Sequence, residues 1–181
     1  NEFNAFKTKA GRTVYDGGGV LPDIEIEETK MATITDAVVK TDAIFNFATQ
    51  WYYKNPTVSG IPTISDADFI AFKTFLKQEK ISLDTETNKA LKNVLETAKK
   101  EKIDTQITNE YKQLELAIEK NQEMELDKNK NQIKKLIQED LITRYQYREG
   151  LYQFYTKENL EIEKAIALLN NQTQYKSILK K

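Results

Sequence analysis

Cysteine and histidine are both missing from this 181-residue chain. Their absence excludes thiol nucleophiles, the Ser-His-Asp triad and the usual zinc ligand sets. It also leaves no disulfide pattern from which to read a redox compartment. Any catalysis would rest on carboxylates, lysine, tyrosine or a Ser–Lys pair. No apolar run of about 18 residues occurs, so no segment reads as a helix crossing a bilayer. Charge of one sign is missing too. With 27 basic and 28 acidic side chains the net charge is −1, which gives no long-range field to gather nucleic acid or an anionic membrane. Breakers are few and unevenly placed. Residues 63–181 contain no proline and one glycine, Gly150.

What remains is 39% hydrophobic and 30% charged, enough apolar surface for a core. The chain opens on Asn1 without the apolar region of a signal peptide, and reads as an excised or processed piece. Residues 1–27 read as strand. "NAFKTK" and "RTVYD" flank Ala10-Gly11, where Gly11 can take the positive φ that closes a hairpin. "DIEIE" alternates, placing Ile24 and Ile26 on one face and Glu25 and Glu27 on the other. Three such short strands with one thin apolar face need a larger sheet.

From Thr35 the period becomes helical. Thr35 is the N-cap candidate of a first helix, with Val38, Phe45, Ala48 and Tyr52 along its stripe. Pro56, Gly60 and Pro62 interrupt it. Ser65 caps a helix carrying Phe69, Phe72 and Leu76, with Asp66 and Asp68 in its first turn against the macrodipole. Asp84 caps the next, whose stripe is Leu91, Val94, Leu95 and Ala98. Asp104 or Thr105 starts another through Ile107, Tyr111, Leu114 and Ile118. The polar stretch "KNQEMELDKNKNQ" reads as exposed, either a break or a solvated helical span. Ile133, Leu136, Ile137, Leu141 and Tyr145 then resume a stripe, and Ile162, Ile166 and Leu169 mark a penultimate helix before a basic end. No internal repeat emerges. The expected fold is mainly α, a helical bundle or array behind a short β stub.

Several segments invite a chemical reading. "DGGG", Asp16–Gly19, has the glycines of a phosphate cradle, but such a loop leads from a strand into a helix N-terminus. Here Pro22 follows and pushes Leu21 to extended geometry, so the segment reads as a tight backbone turn. Ser59, Ser65, Ser82 and Ser177 are the only serines, and none sits in a glycine-flanked elbow. "RYQYREGLYQFYTK" interleaves Arg144 and Arg148 with Tyr145, Tyr147, Tyr152 and Tyr155, a pattern that can stack on single-stranded bases. The structural alternative buries Tyr145 and Tyr152 and pairs the arginines with Glu139, Asp140 or Glu149. Balanced charge favours that alternative. The capping role of Asp66 and Asp68 accounts for them without a substrate.

"GRTVYDGGGVLPDIEI" resembles the end of the catalytic domain in the carboxyl-terminal processing (tail-specific) serine proteases. The residues that carry the likeness are Gly11 and Arg12 in a turn, Gly19 and Val20, and the Pro22-Asp23-Ile24 tail. The helices and the closing "EIEKAIALLNNQTQYKSILKK" are more loosely similar to the C-terminal region of some envelope members. The resemblance implies that residues 1–27 are terminal strands of a peptidase domain and residues 28–181 a helical C-terminal domain. It also implies a parent endopeptidase of the bacterial envelope, expected in the periplasm. Its Ser–Lys dyad, with the lysine desolvated to act as base, and its PDZ domain would precede the Gly-Arg turn. No catalytic residue, metal ligand or cofactor is therefore carried over. Expected partners are the rest of the protease and its protein or peptide substrates, with homo-oligomer formation left open. The rival expectation is a stand-alone helical interaction or chaperone-like module.

Overall fold

The computed structural model describes every residue except 1–3, 10, 17–21, 28–29 and 180–181. The chain forms two compact units, Lys30–Leu151 and a second made of residues 1–29 with 152–181. Among the described residues the fold is mainly α, with eight helices and one two-stranded antiparallel sheet.

In the larger unit, α1 (Thr33–Val39) and α2 (Ala43–Lys54) replace the single helix expected from Thr35. Thr41 makes the break. Its hydroxyl donates to Val38 O at 2.7 Å and accepts from Ala43 N–H at 3.2 Å, serving the end of one helix and the start of the next. The interruption resets the helical phase. Phe47 and Ala48 therefore face the core, while Phe45 is 59% exposed. Thr35 lies inside α1, fully buried, and is not its cap. Ala32 is the cap residue, and its N–H donates to Gln132 Oε1 at 3.2 Å, a partner one hundred residues away.

α3 (Asp66–Gln78) begins with the expected Ser65, in a reciprocal capping box with Asp68. Lys80 closes it at φ 51°, with Ile81 N–H returning to Leu76 O at 3.0 Å. α4 (Glu86–Glu101) is capped by Thr85 and not by Asp84, whose carboxylate is taken by Ser82 Oγ at 2.9 Å and Lys92 Nζ at 2.7 Å. Leu91 and Ala98 are buried as expected, but Val94 is exposed. α5 (Thr108–Lys128) starts after Ile107, later than Asp104 or Thr105, and Leu114 on its expected stripe is exposed. Its polar end is helical, with Leu126 buried, and stops at Asn129, where α6 (Lys130–Glu158) follows.

One apolar cluster joins α1, α2, α3, α5 and α6. Val38, Ala43, Phe47, Phe69, Phe72, Phe75 and Leu76 meet Leu126 of α5 and Ile133, Ile137 and Leu141 of α6. Ile133, Ile137 and Leu141 fall at i, i+4 and i+8, the stripe the sequence shows. Phe47 meets Phe72 edge to face, with centroids 5.2 Å apart.

In the smaller unit, β1 (Ala5–Lys7) pairs with β2 (Thr13–Tyr15), Phe6 opposite Val14. Gly11 takes φ 86° in the turn, a conformation an L side chain resists. Residues 22–27 form no strand. This corrects the expectation for "DIEIE": alternation makes a ribbon only where another strand supplies the hydrogen bonds, and none does so among the described residues. α7 (Leu160–Asn170) is capped by Asn159, whose Oδ1 accepts from Ile162 N–H at 2.9 Å, and α8 (Gln172–Leu179) follows. Neither helix buries a residue; Ile162 is half-buried and Ile166 and Leu169 are exposed.

Candidate functional site

Within the glycine–proline segment, the motif residues come together in part. Arg12 follows the Gly11 turn, and its guanidinium pairs with the Asp23 carboxylate just after Pro22. Arg12 N–H also donates to Thr8 Oγ1 at 3.1 Å. At the open end of the hairpin, Asn4 N–H reaches Asp16 Oδ1 at 2.9 Å. Arg12 and Asp23 thus clasp the segment between them, whereas Gly17, Gly18, Gly19 and Val20 lie outside the described residues. The strands are three residues each, and each keeps an unpaired edge among the described residues. Phe6 and Val14 share one face, 53% and 38% exposed.

Three of the four serines serve backbone or carboxylate partners. Ser65 caps α3, Ser82 holds Asp84, Ser177 Oγ donates to Gln174 O at 2.8 Å, and Ser59 is exposed in the loop between α2 and α3. The two early carboxylates diverge. Hydrogen bonds from Lys134 and Lys130, at 3.0 and 3.2 Å, hold the exposed Asp66 carboxyl below its ordinary range. For Asp68, burial disfavours the charge. Hydrogen bonds from the Ser65 hydroxyl, the Ser65 N–H and the Trp51 indole together outweigh it, and its pKa falls.

The tyrosine–arginine segment is dispersed over α6. Arg144 pairs with Asp140, as expected, and lies 4.6 Å from the centroid of the Phe45 ring. Tyr145 is half-buried, its hydroxyl donating to Asn55 O. Burial raises its pKa, with the neighbouring Tyr52 adding to the effect. Tyr152 is exposed, against the expectation that it packs, because the helical phase changes at Tyr147, whose backbone is not helical.

Sequence periodicity missed three tertiary features. Trp51 Nε1–H donates to Asp68 Oδ1 at 2.9 Å, linking α2 to the cap of α3. The loop 55–62 is fastened along α6 by Gln138, Tyr145 and Gln146, which all donate to its carbonyls. Gln122 Nε2 donates to Leu83 O at 3.1 Å and Asn88 Oδ1 at 2.7 Å. It stands between two open grooves of about 580 and 320 Å³. The larger is bordered by Lys73, Lys77, Glu119 and Glu123, with Lys77 paired to Glu123. No local residue pattern announces these pairs, whose partners lie 17 to 90 residues apart. Among the described residues, no group of three or more metal-ligating side chains is assembled, and no helix is long and apolar enough to cross a membrane.

A charged, mainly helical chain with a short N-terminal β-hairpin is thus the class that fold and surface define. A family model described as "Probable PDZ-protease, C-terminal helical domain" matches residues 34–169, and the chain belongs to that family. The match agrees with the resemblance of the Gly11–Ile24 segment to carboxyl-terminal processing proteases. No curated protein and no solved structure matches the chain.

Proposed function

We propose that this chain is the non-catalytic C-terminal region of a carboxyl-terminal processing serine endopeptidase of the bacterial envelope. In this reading residues 1–27 complete the sheet of the peptidase domain, and the helices from residue 28 onward scaffold that domain or dock a partner. The parent's Ser–Lys dyad and PDZ domain lie before the Gly11-Arg12 turn. The observation that carries this reading is the hairpin: two three-residue strands, their outer edges unpaired among the described residues, and an exposed Phe6–Val14 pair. A ribbon of that size is marginal alone and gains by joining a larger sheet. The Arg12–Asp23 pair ties the second strand's start to the segment after Pro22.

The test supplies the parent's peptidase portion in trans to the 181-residue chain and measures association by calorimetry. Binding should be lost when Phe6 and Val14 are both changed to Ser. The chain alone should cleave no peptide substrate. Equal binding by native and doubly substituted chains would sink the strand-completion reading. The exposed apolar residues of α7 and α8, Leu160, Ile166, Leu169 and Leu179, favour a second reading: a helical interaction or chaperone-like module. It predicts that the chain captures a reduced, unfolded protein whether or not Phe6 and Val14 are present.

A further inference from the structure

We propose that Tyr147 is a strained hinge inside α6, latched by the loop 55–62, and that release of the loop lets the helix run unbroken through this residue. The backbone of Tyr147 stands at φ 56° and ψ −160°, in the middle of a 29-residue helical span. That region is glycine territory, and a residue bearing a Cβ persists there only when its surroundings force it. The Tyr147 side chain is 77% exposed, so its own packing does not impose the strain. The constraint comes from its neighbours.

On the N-terminal side, α6 is tied to the loop by three donors. Gln138 Nε2 reaches Pro62 O at 2.8 Å, Gln146 Nε2 reaches Gly60 O at 2.7 Å, and the Tyr145 hydroxyl reaches Asn55 O. Two of the three immediately precede Tyr147. The loop is itself anchored by Pro62, which is fully buried, and by Tyr145 against the Trp51 and Tyr52 rings. On the C-terminal side sits Gly150. A Cβ there would come within 2.3 Å of Gln146 Cβ and 2.7 Å of its Oε1. In a regular helix Cβ atoms four residues apart stand about 5–6 Å from each other. The Gln146 position that reaches Gly60 therefore exists only with the break, and only with glycine at 150. Loop, hinge and glycine form one geometric unit with an obvious second state: an unbroken helix in which Gln146 no longer reaches the loop.

Tyr147→Gly and Tyr147→Ala separate the two states, since both remove the same exposed ring and differ only in backbone preference. Glycine favours the broken state and alanine the continuous helix. In the 181-residue chain, protease cleavage between Lys54 and Val58 under native conditions reads the released population. Cleavage should be about tenfold or more faster in Tyr147→Ala than in Tyr147→Gly. Gly150→Ala should exceed the native chain in loop cleavage and shift the emission of Trp51, the one tryptophan, to the red, without loss of helical circular dichroism. Equal rates for the two Tyr147 variants, or the reverse order, would overturn the proposal, even if Gly150→Ala fails to fold. So would a Gly150→Ala chain that keeps its helix while its loop stays as protected as in the native chain.

Discussion

Asp68 makes the sharpest energetic test of the larger unit. Its Oδ1 accepts the Trp51 indole N–H at 2.9 Å, and its Oδ2 accepts the Ser65 N–H at 2.9 Å, while its own N–H donates to Ser65 Oγ at 3.1 Å. Asp68→Ala keeps the Ser65 cap but removes the reciprocal hydrogen bond from Ser65 N–H, about 0.5–1.5 kcal/mol. It also strands an indole donor, which costs about 1–3 kcal/mol when fully buried. Trp51 and Asp68 are only half-buried, so water recovers part of that loss. The expected sum is about 2 kcal/mol at pH 7. The pH dependence follows from the lowered Asp68 pKa. A carboxyl depressed on folding adds stability that is complete above its unfolded value and is lost as pH falls through the folded one. The gap between native and variant chains should thus be full at neutrality and shrink below about pH 4. Urea titrations followed by circular dichroism, which is insensitive to the altered Trp51 surroundings, measure it. A gap under about 0.5 kcal/mol at pH 7, or one undiminished in acid, would refute the reasoning.

Asp66, two residues earlier, should behave differently. It is exposed, and Asp66→Asn should leave the urea midpoint unchanged despite the loss of its contacts with Lys130 and Lys134. Phe72→Ala empties the centre of the core beside Phe47 and should cost about 3–5 kcal/mol by the same titration. Thr35 is fully buried with an unpartnered hydroxyl. Thr35→Val, close in shape, should gain about 1 kcal/mol, seen as a higher melting temperature.

Most helices, and most of their inward faces, were legible from residue types because helix formation is governed by neighbours three and four positions apart. Ser65 with Asp68 shows this, as do the stripe from Ile133 to Leu141 and the positive φ of Gly11. The absence of cysteine and histidine was equally decisive about which chemistries the chain does not carry. The Gly11-Arg12 and Pro22-Asp23-Ile24 pattern resembled the protease family, and the family-model match over residues 34–169 agrees with it.

Folding settled what local rules leave degenerate. Thr35 reads as the cap in sequence; Gln132, from a distant helix, binds Ala32 N–H and places the cap there, while Thr41 breaks the span and turns Phe47 inward in place of Phe45. "DIEIE" has a strand's alternation but forms no strand, and no partner pairs with it among the described residues. The Trp51–Asp68 link, the loop bound along α6 and the strained Tyr147 depend on groups brought together from remote parts of the chain. Their strength comes from burial and convergence, and neither quantity exists until the helices have packed.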